Sequence, residues 1–223
     1  MKDSQIPEFR KSDRYKASTY RAFNWKMPSI YDNLIWMKLC QVDTWDQTII
    51  SEIDRSISSC RILDVGCATG RLLYKLAENG AKELSGADIA PNIVEVARQK
   101  LQSINIEADL KVADAEDNLP WPDNSFDYAI LSGVIHHFFR PIDAFREICR
   151  VLDKSGKLII ADPWFPVIVR QVINSWLFFF PHDGDCCFYT PNQVTHLIAE
   201  AGMTNIDYRK AGSISYVVTG FKS

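Results

Sequence analysis

Ile62-Leu63-Asp64-Val65-Gly66-Cys67-Ala68-Thr69-Gly70 decides the fold of this chain. A short apolar run ends in an acid, a glycine-bearing turn follows, and a helical pattern begins at Arg71-Leu72-Leu73. A buried parallel strand hands over to a helix in this way, across a loop whose backbone lies open to a ligand.

Working outward, strand and helix patterns alternate. Strands are expected at Arg61 to Asp64, Glu83 to Asp88, Glu107 to Val112, Phe126 to Ser132 and Lys157 to Ala161. Helices are expected at Arg71 to Asn79, from Pro91 to Leu101, and over the face Ile142, Phe145, Ile148 and Leu152. Thr190-Pro191-Asn192-Gln193 predicts a capped helix start, with Gln193 completing a capping box. Two further strands, near Asn205 to Tyr208 and Ser213 to Phe221, flank a short turn and are expected to be antiparallel. Such alternation predicts an α/β fold with a doubly wound, Rossmann-like sheet. Tyr20 to about Ile57 reads as helical, carrying Phe23, Trp25, Tyr31, Trp36 and Trp45. Residues 1–57 are therefore expected to form a helical lid and residues 58–223 the ligand-binding domain, with 163–189 as an insertion on its acceptor side.

Bulk properties narrow the partners. The 223 residues are 47% hydrophobic and 24% charged, with a formal net charge of −3, which disfavours nucleic acid. Six cysteines, at 40, 60, 67, 149, 186 and 187, show no C-x-x-C spacing and read as reduced thiols. The polar N-terminus resembles no signal or transit peptide, which predicts a cytoplasmic protein. Trp164 to Phe180 is apolar but short for a spanning helix, and Arg170, Gln171, Asn174 and Ser175 give it a polar stripe. A helix with a broad apolar face is expected, without stable membrane insertion.

The glycine turn lacks a third glycine, because Ala68 fills the middle position of a G-x-G-x-x-G pattern. This suits a nucleoside cofactor without a pyrophosphate. Asp88, at the end of the second strand, is expected to accept hydrogen bonds from ribose hydroxyls. Asp114, after the third, is expected to take the amino group of adenine, beside the backbone N–H of Ala115.

Four ordered segments then resemble the class I S-adenosylmethionine-dependent methyltransferases. They are Asp64-Val65-Gly66-Cys67-Ala68-Thr69-Gly70, Gly86-Ala87-Asp88-Ile89-Ala90, the run from Leu119 to Asp127, and Arg150-Val151-Leu152-Asp153-Lys154-Ser155-Gly156. Tyr31-Asp32 and the layout look closest to the family's UbiE-like branch. Ala68, Ala90 and Lys154-Ser155 depart from the usual family residues. The resemblance implies a seven-stranded sheet with an antiparallel last strand, and S-adenosylmethionine as cofactor with S-adenosylhomocysteine as product. It implies cofactor contacts from Tyr31, Asp64, Gly66, Cys67, Ala68, Gly70, Asp88, Ile89, Asp114, Ala115, Glu116, Ser132 and Gly133. Methyl transfer from a sulfonium chiefly needs two aligned reactants, with a base only where the acceptor loses a proton.

His136 and His137, after the fourth strand, are the candidates for that base, and His136 is favoured; the competing expectation is a histidine that satisfies a loop carbonyl. His182, Asp183, Asp185, Cys186 and Cys187 have the wrong spacing for zinc, so no metal is expected. The aromatic 163–189 insertion predicts either a pocket for a small, partly apolar or aromatic acceptor, or a packing or dimer seam, in a monomer or homodimer. Tyr20, Tyr31 and Trp36 are expected either to close over the cofactor or simply to pack. An NAD-dependent oxidoreductase and a non-catalytic cofactor-binding regulator are the rival readings.

Overall fold

Ile62 and Leu63 of β1 (Arg61–Val65) have no solvent exposure, and they sit at the centre of a seven-stranded sheet ordered β3-β2-β1-β4-β5-β7-β6. In this computed structural model, residues 14–33, 42–180 and 184–223 are described. The expected strands are present as β2 (Glu83–Asp88), β3 (Ala108–Val112), β4 (Phe126–Ser132), β5 (Leu152–Pro163), β6 (Met203–Lys210) and β7 (Ser215–Lys222). Pairing is parallel from β3 to β5, and β7 runs antiparallel to both β5 and β6. The sheet is thus mostly parallel, with one reversed strand.

The central strands are apolar on both faces because helices cover both. One core cluster holds Leu63, Leu131, Phe145, Ile148 and Ile160, and the other Ile62, Leu73, Leu76, Ile130 and Ile159. Among the described residues the α-helices are α1 (Arg14–Arg21), α2 (Val42–Ser51), α3 (Arg71–Glu78), α4 (Pro91–Gln102), α5 (Pro141–Val151), α6 (Val167–Phe179) and α7 (Pro191–Glu200). Helix α7 carries the expected capping box: the Gln193 N–H donates to Thr190 Oγ1 and the Thr190 N–H to Gln193 Oε1.

Two regions take forms that the sequence left open. First, the described part of Tyr20 to Ile57, expected to be helical, is made of short helical pieces rather than one helix. A π-helical turn (Ala22–Lys26) and 3-10 turns (Met27–Ser29, Tyr31–Asn33) follow α1, where Pro28 removes a backbone donor. Helix α2 then packs on the sheet, burying Trp45 and Ile49 in the second core cluster. Trp36 and Cys40 lie outside the described residues.

Second, the apolar face of α6 points outward. Val167, Ile168, Val172 and Phe179 are exposed, Ile168 by 76%, together with Gln171 and Ser175. Arg170 and Asn174 lie on the half-buried side with Leu177. The Asn174 amide sets this rotation: its Oδ1 accepts from the Phe188 N–H at 2.9 Å and its Nδ2 donates to the Phe188 carbonyl at 3.0 Å. No helix among the described residues is long and apolar enough to cross a membrane.

Candidate active site

The loop after β1 is pinned to the end of β2. The N–H groups of Gly66 and Cys67 donate to the Ala87 carbonyl at 2.7 and 3.0 Å. Asp88 then draws two segments together, accepting from the Ala68 N–H at 3.1 Å and the Ala90 N–H at 3.0 Å. Gly66 has φ +75°, and a Cβ there would lie 2.4 Å from a Val134 methyl carbon. Only glycine lets the backbone pass this close to β4. Ala68 also takes a positive φ, +45°, where the family's glycine would be unstrained.

A cleft opens over these strand ends. Gly66, Ala68, Asp88 and Ile89 form its floor, Asp114, Ala115 and Glu116 one side, and Gly133 and His137 another. Tyr31, Lys16, Thr19 and Phe23 from the N-terminal segment also line it. Ten of the fifteen residues expected at the site, Tyr31 to His137, therefore meet in one cleft. Asp64, Cys67, Gly70, Ser132 and His136 do not line it. Cys67 is buried in the core, its sulfur packed beside Gly86. Gly70 takes φ +73° to start α3 and faces Ala97. Asp64 is buried near Asp46 and the Arg71 guanidinium. Ser132 Oγ is buried without a hydrogen-bond partner among the described residues.

Burial sets the electrostatics. It pushes Asp64 up to about 7. It pushes Asp88 up to about 6, against the opposing hydrogen bonds from Ala90 and Ala68. Burial likewise pushes the Tyr31 hydroxyl up to about 12, which keeps it a donor at neutral pH. Asp32 ties its 3-10 turn to the loop, accepting from Thr69 Oγ1 at 2.6 Å and pairing with Lys100 at 2.7 Å.

Beside the cleft lies a second polar group. His136 Nδ1 is 2.9 Å from Asp162 Oδ1 at the end of β5, and Asp162 has no exposure. Burial pulls the His136 imidazole down, but the charge and hydrogen bond of Asp162 outweigh it, so the ring titrates above its ordinary value. Asp185 Oδ1 lies 3.9 Å from His136 Nε2 and 3.4 Å from His137 Nδ1. The Phe188 ring stacks on His136 with centroids 4.9 Å apart, and Phe165 meets Phe188 edge-on. The His136 carbonyl accepts the N–H groups of Cys186 and Cys187, so the 184–189 loop wraps around this histidine. His136, His137 and Asp185 bring ligand-type atoms within 4.8 Å of one another. His182 and Asp183 lie outside the described residues.

Sequence reasoning missed Lys16, Asp162 and Phe188. Asp162 carried a readable signal, being an acid at a strand's carboxyl end like Asp88. Lys16 and Phe188 carried none, since their roles depend on where separate segments fold back.

An acid-and-glycine cradle at the carboxyl ends of β1, β2 and β3, beneath a covering N-terminal segment, defines a nucleoside-cofactor site on a seven-stranded Rossmann-like sheet. The family model described as "Methyltransferase domain" matches residues 56–210, and the chain belongs to that family. It is 29% identical over 197 residues to a ubiquinone biosynthesis O-methyltransferase of Cereibacter sphaeroides, covering 82% of this chain and 78% of the relative. It is 34% identical over 141 residues to the methyltransferase GfsG of Streptomyces halstedii, covering 61% of this chain and 48% of the relative. A solved S-adenosylmethionine-dependent methyltransferase from Thermotoga maritima superposes with a TM-score of 0.72 at 20% identity, covering 92% of this chain and all of that one. The chain is an S-adenosylmethionine-dependent methyltransferase of class I.

The cradle fits its cofactor. Gly66 leaves the floor open where a Cβ would collide, and Asp88 is held by two backbone donors with its carboxylate at the cleft.

Proposed function

We propose that this methyltransferase acts on a hydroxyl of a small, partly apolar or aromatic acceptor, with His136 as general base and Asp162 as its positioning residue. The observation that carries this reading is the buried His136–Asp162 pair. Asp162 at Nδ1 leaves Nε2 as the proton-accepting nitrogen and stabilises the imidazolium formed. Phe188, Phe165 and Phe23 supply aromatic surface around the two histidines. The name of the Cereibacter relative, an O-methyltransferase, supports oxygen as the attacked atom.

The cofactor supplies an electrophilic methyl group on a sulfonium. Gly66, Ala68 and Asp88 hold the donor, with Asp114, Ala115 and Glu116 on its adenine side and Gly133 towards its methionine end. His137, which lines the cleft, orients the acceptor. Residues 14–33 act as the lid, excluding water from the transfer. The partner is a small molecule rather than nucleic acid, and the protein is a cytoplasmic monomer or homodimer without a resident metal.

A panel of phenols, quinols, amines and thiols with methyl-labelled donor tests the acceptor class; labelling confined to amines or thiols would sink it. On the best hydroxyl acceptor, His136→Ala should lower kcat by about 10²–10⁴, the range of general-base catalysis. Asp162→Asn should lower kcat and move the acidic limb of the pH–rate profile to lower pH, with affinity for S-adenosylhomocysteine unchanged. Full turnover by His136→Ala would remove the base from the mechanism.

A further inference from the structure

Helix α1 touches both halves of the site through one face. Lys16 Nζ lies 2.5 Å from Asp114 Oδ2, 3.2 Å from Glu116 Oε2 and 3.7 Å from Asp117 Oδ2. Lys16 and Glu116 are both buried. The other oxygen of Asp114 already accepts the Glu116 N–H at 2.9 Å, so both oxygens are engaged. One residue earlier, the Tyr15 hydroxyl approaches the Leu177 and Phe178 carbonyls, at 3.2 and 3.1 Å, at the end of α6. One turn later, the Thr19 hydroxyl lies between the Tyr15 carbonyl at 3.0 Å and the Gly184 carbonyl at 3.2 Å. Gly184 opens the loop that carries Asp185 and Phe188 to the two histidines.

We propose that Lys16 is a positioning residue that latches the donor subsite: it holds Asp114 until the adenine amino group of the cofactor takes its place. Because Tyr15 and Thr19 tie the same helix to the acceptor wall, this exchange signals donor occupancy to the 184–189 loop. The donor then binds first, and the acceptor side is set only afterwards. The latch rests on the reading of Asp114 as the adenine-side acid. A cation in that place is a strong competitor, because the Lys16 ammonium adds an ion-pair attraction to the carboxylate that a neutral amine lacks. Adenine's neutral amine must displace it.

Calorimetry with S-adenosylhomocysteine tests the two ideas separately. Asp114→Asn should weaken binding at least fivefold; unchanged binding would overturn the reading of Asp114 and the latch with it. Lys16→Met should tighten binding at least threefold, and Lys16→Arg should restore the wild-type value. The gain should vanish with a purine analogue lacking the 6-amino group. Weakened or unchanged binding in Lys16→Met, with Asp114→Asn still impaired, would overturn the latch alone. A readout needing no variant is hydrogen exchange in the wild-type protein. Adding S-adenosylhomocysteine should change exchange at residues 15–21 and 184–189 together; a change confined to either segment, or none, would also overturn it.

Discussion

The two halves of the site are built by different means. On the donor side, β1, β2 and β3 each end at the cleft, and the residues that line it there fall between Val65 and Glu116. Each strand delivers its own residue, so the cradle follows from local hand-overs between strand and helix. On the proposed acceptor side, His136, Asp162, Asp185 and Phe188 meet from the turn after β4, from β5 and from the loop after α6, with the Thr19 hydroxyl of α1 beside that loop. That wall depends on long loop closures and on a few side chains such as Asn174. The donor half is therefore expected to be rigid and intolerant of substitution. The acceptor half is expected to tolerate changes that preserve its pins.

The largest test of this contrast is Gly66→Ala. The new methyl group would collide with Val134 at a positive φ, so affinity for S-adenosylhomocysteine should fall at least a hundredfold, about 3 kcal/mol. Calorimetry near wild-type affinity would break the idea of a rigid donor cradle. A smaller effect is set by pH. In the proposed role of Asp88, ribose hydroxyls would donate to its ionised carboxylate, and burial pushes that carboxyl up to about 6. Binding should be full above that value and weaken as pH falls through it, approaching tenfold per unit below it. Flat affinity between pH 7.5 and 5 would show that Asp88 stays charged or is not used.

Smaller still is Ala68→Gly. Relief of the left-handed alanine is worth about 1 kcal/mol, partly offset by the greater freedom of glycine when unfolded. Urea unfolding should show a change within about 1 kcal/mol of zero, with donor affinity retained. A loss of several kcal/mol would mean that the alanine methyl is a packing element. The smallest effect is expected from Ile168→Glu on the exposed face of α6. Donor affinity should be unchanged and stability should shift by no more than about 0.5 kcal/mol, as for other surface changes. A thermal melt displaced by many degrees would mean that this face is covered.

Much of the sheet was legible because its signals are local. Apolar runs bounded by acids and glycines located β1, β2 and β4, and Thr190-Pro191-Asn192-Gln193 located α7 through chemistry confined to four residues. The N-terminal region was read less well. A helical apolar spacing does not tell a continuous helix from π and 3-10 turns, and Pro28 was the available warning. The orientation of α6 was also hidden. Its periodicity marked two faces, but Asn174 had to find the Phe188 backbone before either face was committed.

The sequence by itself determined the class of cofactor and the strand ends that meet it, because each Asp or Gly acts where its own strand stops. Tertiary structure alone decided that His136 faces Asp162, that Lys16 lies on Asp114, and that the apolar face of α6 points outward. Each of these joins groups far apart along the chain, where partner choice depends on packing and on the cost of leaving a buried polar group unpaired.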